Sequence, residues 1–330
     1  MNNNNLEGKK IVLICPNFYN YSDEIVLALE RQGATVVYID ERPSNSFFFK
    51  SFLRLGFNKL LDSSIKKYYI KKIKVLDDDV TDFLIVNPEA LNDSIVGLIK
   101  SKYRDSKFTL YMWDSIKNKK NIDKLFPLFD QCFSFDPQDV KAKSKLLFMP
   151  LFYKEDICES IITKKYDMSF AGSCHSDRLP ILKLLESGCS LSTNFYIFSP
   201  SYMVTILVYL RNFSKLKVKD LKSLNYKKVP MSDINQIMRK SHVVIDIHHP
   251  KQTGLTMRCF EVLAAGVKLI TTNQDIRNYD FYNENNILII ERDKIDFDKI
   301  KRFINIEFDY SSIDSIHRYK IDNWVKGLLK

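Results

Sequence analysis

The sequence predicts an α/β protein built from two doubly wound, Rossmann-like halves that face each other across a cleft. Three observations predict it. Short apolar strands alternate with helical patterns along the whole chain, as parallel sheets covered by helices require. The first strand, KKIVLICP (9–16), is a continuous apolar run, which suits a strand buried on both faces. A second strand-first unit opens at YDMSFAGSCHSDR (166–178), after the periodic pattern lapses near residues 150–165.

The elements follow in order. After the first strand, Ile25, Val26, Leu27 and Leu29 give a helix over 22–32 its apolar face, and Gly33 ends it. Next come the strands ATVVYID (34–40) and FLIVNP (83–88), a helix over 92–102, and the strands FTLYMWD (108–114) and QCFSFD (131–136). The second half continues with a helix over 176–187 closed by Gly188, the strand NFYIFS (194–199) and a helix over 232–239. Then come a buried strand over 243–247, a polar turn over 248–253, a helix carrying Glu261, and strands over 268–272 and 286–290. A helix over 311–329 closes the chain. The division expected is an N-terminal Rossmann-like domain, 1–155, and a C-terminal Rossmann-like domain, 156–330, with the last helix free to pack back on the first.

With 330 residues the chain is long enough for two ordinary domains, and 45% hydrophobic content supplies a core to each. The net charge of +10 suits an acidic partner: a phosphate-bearing small molecule, an anionic membrane surface or nucleic acid. Many of the 17 Tyr and 23 Phe fall at core spacing, not beside Lys or Arg, so no nucleic-acid partner is expected. The six cysteines form no C-x-x-C pair and have no zinc spacing with the five histidines. A reduced, cytoplasmic protein is the simplest account. The start MNNNNLEGKK lacks a signal-peptide core, and the longest apolar stretch, Tyr202 to Leu210, is far short of a membrane span.

The stretch VVIDIHHPKQTGLTMRCFEVLAAGVKLITTN (243–273) is the most informative. Glu261 sits early in a helix that follows a Gly-containing loop at the end of a parallel strand. A carboxylate there suits ribose hydroxyls, while loop amides and the helix N-terminus can face a phosphate. The plainer reading is an exposed helix acid. Arg258, three residues earlier on the same face, fits a diphosphate bidentately or an ion pair with Glu261. Gly254 lies in the loop. In FAGSCHSDR (170–178), Gly172 and Ser173 let amides approach a pyrophosphate with Arg178 as counter-charge; alternatively this is an ordinary turn with Ser176 as N-cap. His175 beside it reads as an exposed turn residue or a phosphate donor. His248 and His249 point opposite ways, which argues against a shared metal; His249 is the candidate donor to phosphate or sugar.

In the first half, Asp114 ends a strand at the edge where open sheets bind ligands. It fits a general base for an acceptor hydroxyl, or a turn or N-cap acid. Asn17 and Tyr19, in the loop after the first strand, lie at the same edge on the acceptor side. Residues 77–79, DDD, read as a solvated turn with no metal. Residues 47–74 carry seven lysines and Arg54 against Asp62, a net +7, interleaved with apolar residues. They fit peripheral contact with an anionic bilayer or a core-facing helix with a basic side.

The segment TGLTMRCFEVLAAGVKLITTN (253–273) resembles the donor-binding signature of the group 1 glycosyltransferases. It looks closest to the branch of spore-maturation and of lipopolysaccharide or capsule biosynthesis enzymes. The stretches 15–43 and 166–178 resemble that branch in the same order. The resemblance implies the GT-B architecture, a nucleoside diphosphate sugar as donor and no essential metal or other cofactor. It implies that Glu261 is the second acid of an E-x7-E pattern and holds the ribose. The first acid falls at Thr253, a departure that points to an inverting displacement with Asp114 as base.

The expected function is transfer of a hexose from a nucleoside diphosphate sugar to a lipid-linked or oligosaccharide acceptor of a surface polysaccharide, O-antigen or capsule. The expected location is the cytoplasm, peripheral at the inner membrane face. Two alternatives are a sugar-nucleotide epimerase on the same fold and a non-catalytic nucleic-acid-binding protein.

Overall fold

A computed structural model describes residues 6–18, 20–55, 58–119, 121–154 and 162–330. The chain divides into two compact units, Met1–Phe152 with Lys320–Lys330, and Tyr153–Tyr319.

The first unit contains β1 (Lys10–Cys15), α1 (Tyr21–Arg31), β2 (Thr35–Asp40), α2 (Phe47–Leu55), α3 (Asn58–Lys74), β3 (Asp82–Val86), α4 (Asp93–Lys102), β4 (Lys107–Met112), β5 (Gln131–Ser134), α5 (Pro137–Ala142) and β6 (Leu146–Phe148). All its strands are parallel, in the order β2-β1-β3-β4-β5-β6. Strand β2 lies to one side of β1 and the later strands to the other, so the winding reverses between β1 and β3. The apolar runs are explained by burial on both faces: all five residues of β3 are buried, as are five of six in β1. Helix ends are set locally. The Asn92 side chain accepts from Ile95 N at 3.1 Å to start α4. Gly33, at φ 92°, supplies the left-handed turn after α1.

The second unit contains β7 (Tyr166–Ser173), α6 (Arg178–Cys189), β8 (Thr193–Phe198), α7 (Tyr202–Arg211), β9 (Leu224–Asn225), α8 (Met231–Arg239), β10 (Ser241–Asp246), α9 (Met257–Ala264), β11 (Lys268–Thr271), β12 (Ile287–Ile289), α10 (Phe297–Ile304) and α11 (Ile313–His317). Its parallel sheet has the order β12-β11-β10-β7-β8-β9, with the winding reversing between β7 and β10. That is the dinucleotide-binding strand order, and ligands of such sheets sit outside the strand ends at the reversal. Lys268, buried at the start of β11, donates to the carbonyls of Phe303 and Ile304 at 2.7 and 2.8 Å and so closes the end of α10. Burial pushes its pKa down to about 8.

Two sequence expectations need correction here. Helix α6 does not stop at Gly188; it runs through it to Cys189, and Ser190 takes the left-handed turn at φ 50°. The glycine is required for packing instead, because a Cβ there would lie 2.4 Å from the Phe297 ring of α10. The closing helix expected over 311–329 is broken into a short 3-10 turn at Tyr310–Ser312, α11, and α12 (Ile321–Leu328). Helix α12 belongs to the first unit, where Trp324 packs on Tyr111 and Phe152 with ring centroids 4.8 and 4.5 Å apart. Asp322 pairs with Arg31 at 2.8 Å and the Leu329 carbonyl accepts from Lys9 Nζ at 2.9 Å.

Candidate functional site

At the reversal of the second sheet, Arg178 spans both strands. Its Nε donates to the Ile247 carbonyl just past β10 at 2.7 Å, and Nη1 to the Ser173 carbonyl ending β7 at 3.1 Å. The guanidinium lies 5.6 Å from the Phe170 ring centroid. Desolvation pulls its pKa down from the ordinary value, although an arginine keeps its charge. A cation so fixed, at the edge where this strand order binds ligands, is suited to an anion. Gly172 belongs to this arrangement: a Cβ there would stand 2.9 Å from Phe170 Cζ and 3.3 Å from Arg178 Nη1. Ser173 is exposed beside it.

Ser176 is not the N-cap that the plainer reading of this turn made it. It takes the left-handed conformation at φ 49°, and Asp177 occupies the cap position without a side-chain cap bond. The Asp177 carboxylate is instead held by Arg292, whose Nη1 reaches both oxygens at 2.7 Å. Arg292 Nη2 also donates to the His248 carbonyl at 2.7 Å, tying the turn before α6 to the loop after β10. His248 is held by Thr272 Oγ1 at 2.9 Å from Nδ1, and burial with the Arg292 charge depresses its pKa to about 4. His175 is likewise neutral at physiological pH: burial, Arg178 and His249 depress its pKa to about 3. The His175 and His249 rings lie 5.7 Å apart, and Lys251 N donates to His249 Nδ1 at 3.2 Å.

The loop and helix that follow are fixed from beneath. Asp246, buried at the end of β10, accepts from Thr256 Oγ1 at 2.8 Å. Thr256 is the residue before α9, so this bond places the helix N-terminus at the strand end. Asn273 Nδ2 donates to the Thr253 carbonyl at 2.9 Å and approaches that of Gly254 at 3.4 Å. On α9, Glu261 and Arg258 face the same way, with Oε2 and Nη1 3.4 Å apart and both side chains under one-fifth exposed. Arg258 Nη1 also meets Met238 Sδ of α8 at 2.6 Å.

All eight of Gly172, Ser173, Arg178, His249, Thr253, Gly254, Arg258 and Glu261 belong to the second unit. Gly172 and Ser173 do not form the turn expected of them: they end β7, paired with Ile197 and Phe198 of β8, because the ladder continues to the strand end. The other six lie on the loops and helices that follow β7 and β10. Asp246, Asn273 and Arg292 escaped sequence reasoning. For Asp246 the clue was present, an acid inside an otherwise apolar run; the other two act through contacts distant in sequence.

Asp114 and Asn17 belong to the first unit, and Tyr19 lies outside the described residues. Asn17 is exposed just past β1. Asp114 is half-buried past β4 and accepts from Asn118 Nδ2 at 2.9 Å. It is not an N-cap; Ser115 takes that role by accepting from Lys117 N at 3.3 Å. The neighbouring strand ends carry a charged network. Glu41, fully buried, accepts backbone N–H bonds from Glu89, Ala90 and Leu91, and desolvation raises its pKa to about 7. Arg42 and Lys119 both reach the Glu89 carboxylate, at 3.1 and 2.6 Å.

Residues 190–307, all in the second unit, match the family described as glycosyl transferase-like. No curated protein matches the chain by sequence. Three solved structures are similar over nearly the whole length. The Anabaena protein Alr3699/HepE in complex with UDP and glucose is 10% identical, with 97% of this chain and 98% of that chain covered and a TM-score of 0.60. A sucrose-phosphate synthase from Thermosynechococcus elongatus is 9% identical, with 97% and 94% covered and a TM-score of 0.54. A glycosyltransferase from Rickettsia africae is 10% identical, with 97% of each chain covered and a TM-score of 0.53. Identities this low establish the shared fold. The chain thus has the two-sheet α/β fold of these GT-B structures, and its segment 190–307 is similar to the glycosyl transferase-like family.

Proposed function

We propose that the protein transfers a hexose from a nucleoside diphosphate sugar to a lipid-linked or oligosaccharide acceptor of a surface polysaccharide, an O-antigen or capsule. The observation that carries the reading is Arg178, which bridges the two strand ends at the reversal of the second sheet. In this reading Arg178, Arg258 and the amides of the α9 N-terminus take the diphosphate at the β7 end formed by Gly172 and Ser173. Glu261 accepts from the ribose hydroxyls, with Gly254, Thr253 and His249 around it. The complex of the similar Anabaena protein with UDP and glucose supports a donor of this class.

The acceptor oxygen attacks the anomeric carbon as the bond from that carbon to the diphosphate breaks and its electron pair leaves with the diphosphate. Asp114 takes the acceptor's proton, and attack on the face opposite the departing diphosphate inverts the configuration. Asn17 and Tyr19 stand on the acceptor side. Charge on the departing group is balanced by the arginines, with no metal called for. The reading places the enzyme in the cytoplasm at the inner membrane face, with the basic segment 47–74 as one contact.

The test is a thermal-shift panel of UDP-, GDP- and dTDP-sugars, followed by transfer to a lipid-linked acceptor with the donor that binds. One nucleotide class should raise the Tm through the second unit. No response to any of them would overturn the reading.

A further inference from the structure

Helix α7 is inside out for a helix that covers a sheet. Met203, Ile206, Leu207 and Leu210 recur at the spacing of one helical face, and with Tyr202 they are between 51% and 74% exposed. The opposite face turns Thr205 and Val208 inward, with Val204 and Tyr209 packed on the core. The buried threonine is satisfied by Ser199 Oγ at 2.9 Å and Tyr226 OH at 3.1 Å. The aliphatic face is thus outward by construction. Phe213 and Val218 extend it, each about 70% exposed. Scattered exposed apolar residues are normal, whereas a contiguous stripe of this kind marks an interaction surface.

The charge around the stripe says which surface. Helix α7 contains no acidic residue, and residues 211–228 carry Arg211 and six lysines against Asp220 alone, a net +6. Lys215 is paired with Asp293 at 2.7 Å; Lys219, Lys222, Lys227 and Lys228 are exposed. A second copy in a symmetric dimer would bring the same positive patch against itself. Nucleic acid would meet a face made mostly of aliphatic side chains, Met203, Ile206, Leu207, Leu210 and Val218, which cannot stack on bases; only Tyr202 and Phe213 could. An anionic bilayer takes both parts: aliphatic side chains enter the headgroup boundary while the lysines meet the lipid phosphates.

We propose that α7 and the basic segment after it form a membrane-docking surface on the second unit, which lies in the interface of an anionic bilayer. It is separate from residues 47–74 of the first unit and stands whether or not the chain transfers sugar. The surface is also tied to the site already described, because Asn212 Nδ2 at the end of α7 donates to the Ser176 carbonyl in the turn before α6, at 3.0 Å.

The test is co-sedimentation of the full chain with vesicles of equimolar phosphatidylcholine and phosphatidylglycerol, and with phosphatidylcholine alone. The wild type should bind the mixed vesicles, less so as salt rises, since each basic residue near the surface strengthens binding about fivefold. The exposed substitutions Leu207→Glu/Leu210→Glu should lower the partition coefficient about a hundredfold with an unchanged Tm. Lys222→Glu/Lys227→Glu/Lys228→Glu should lower it about as much on mixed vesicles and not on phosphatidylcholine. Equal binding by wild type and the leucine variant overturns the proposal. So does loss of binding only on Lys66→Glu/Lys67→Glu/Lys71→Glu in α3, or no binding at all. Self-association abolished by the leucine changes, with no vesicle binding, would make a second copy the occupant and overturn it too.

Discussion

Replacing Glu261 by Gln should separate ribose recognition from phosphate recognition. The carboxylate sits on α9 with Oε2 3.4 Å from Arg258 Nη1, and both side chains keep some contact with solvent. An i, i+3 pair of this kind contributes only about 0.2–0.5 kcal/mol to folding, so the Tm should hardly move. A hydrogen bond from a ribose hydroxyl to a charged acceptor contributes about 1.5–3 kcal/mol, or roughly 10- to 150-fold in Kd. Titration calorimetry with the preferred nucleoside diphosphate should therefore show that loss. Inorganic pyrophosphate, which has no ribose, should bind the variant as well as the wild type, or better, because Arg258 loses its partner. Equal weakening of both ligands would refute the reasoning, since Glu261 would then act on the phosphates or on the fold.

Gly172→Ala should push the Phe170 ring and the Arg178 guanidinium by a few tenths of an ångström, at a folding cost of about 1 kcal/mol. Binding of pyrophosphate and nucleotide should weaken together, several-fold; unchanged affinities would show that the position of Arg178 does not matter. Asp114→Asn should keep donor affinity and lose turnover by at least about a hundredfold, as expected for a general base; unaltered turnover removes it from that role. The two units should respond to acid in opposite senses. Glu41 has its pKa raised from 4.5 to about 7, so its contribution is fully present below pH 4.5 and lost as pH rises through 7; the first unit gains on acidification. His175 and His248 are depressed from 6.5 to about 3 and 4, so the unfolded chain takes up protons first and the second unit weakens below pH 6.5. Scanning calorimetry from pH 7 to pH 5 should show the two transitions moving in opposite directions, and parallel movement would contradict this assignment.

The strands were legible because parallel sheets covered on both faces demand unbroken apolar runs, and residues 11–15 and 243–247 supply them. The position of Glu261 on a helix was legible from the loop and strand before it. Contacts made by long side chains onto distant backbone were not. Nothing near Arg178 in sequence announces a bond to the Ile247 carbonyl, and nothing near Asn273 announces its hold on Thr253. Gly188 misled because a glycine that admits the Phe297 ring looks, in sequence, like one that ends a helix. The outward face of α7 was hidden for a related reason: periodicity shows that apolar residues share a side, not which side is buried.

The second unit begins at Tyr153 and ends at Tyr319, and these ends are joined by a bond from Tyr153 N to the Tyr319 carbonyl at 3.1 Å. It is thus an insertion whose entry and exit meet, placed inside a first unit that is completed only by residues 320–330. During synthesis the earlier-made half must wait, with Tyr111 and Phe152 uncovered, while the inserted half already holds every strand of its own sheet. A premature stop within residues 320–330 would consequently damage the half of the protein that the ribosome made first.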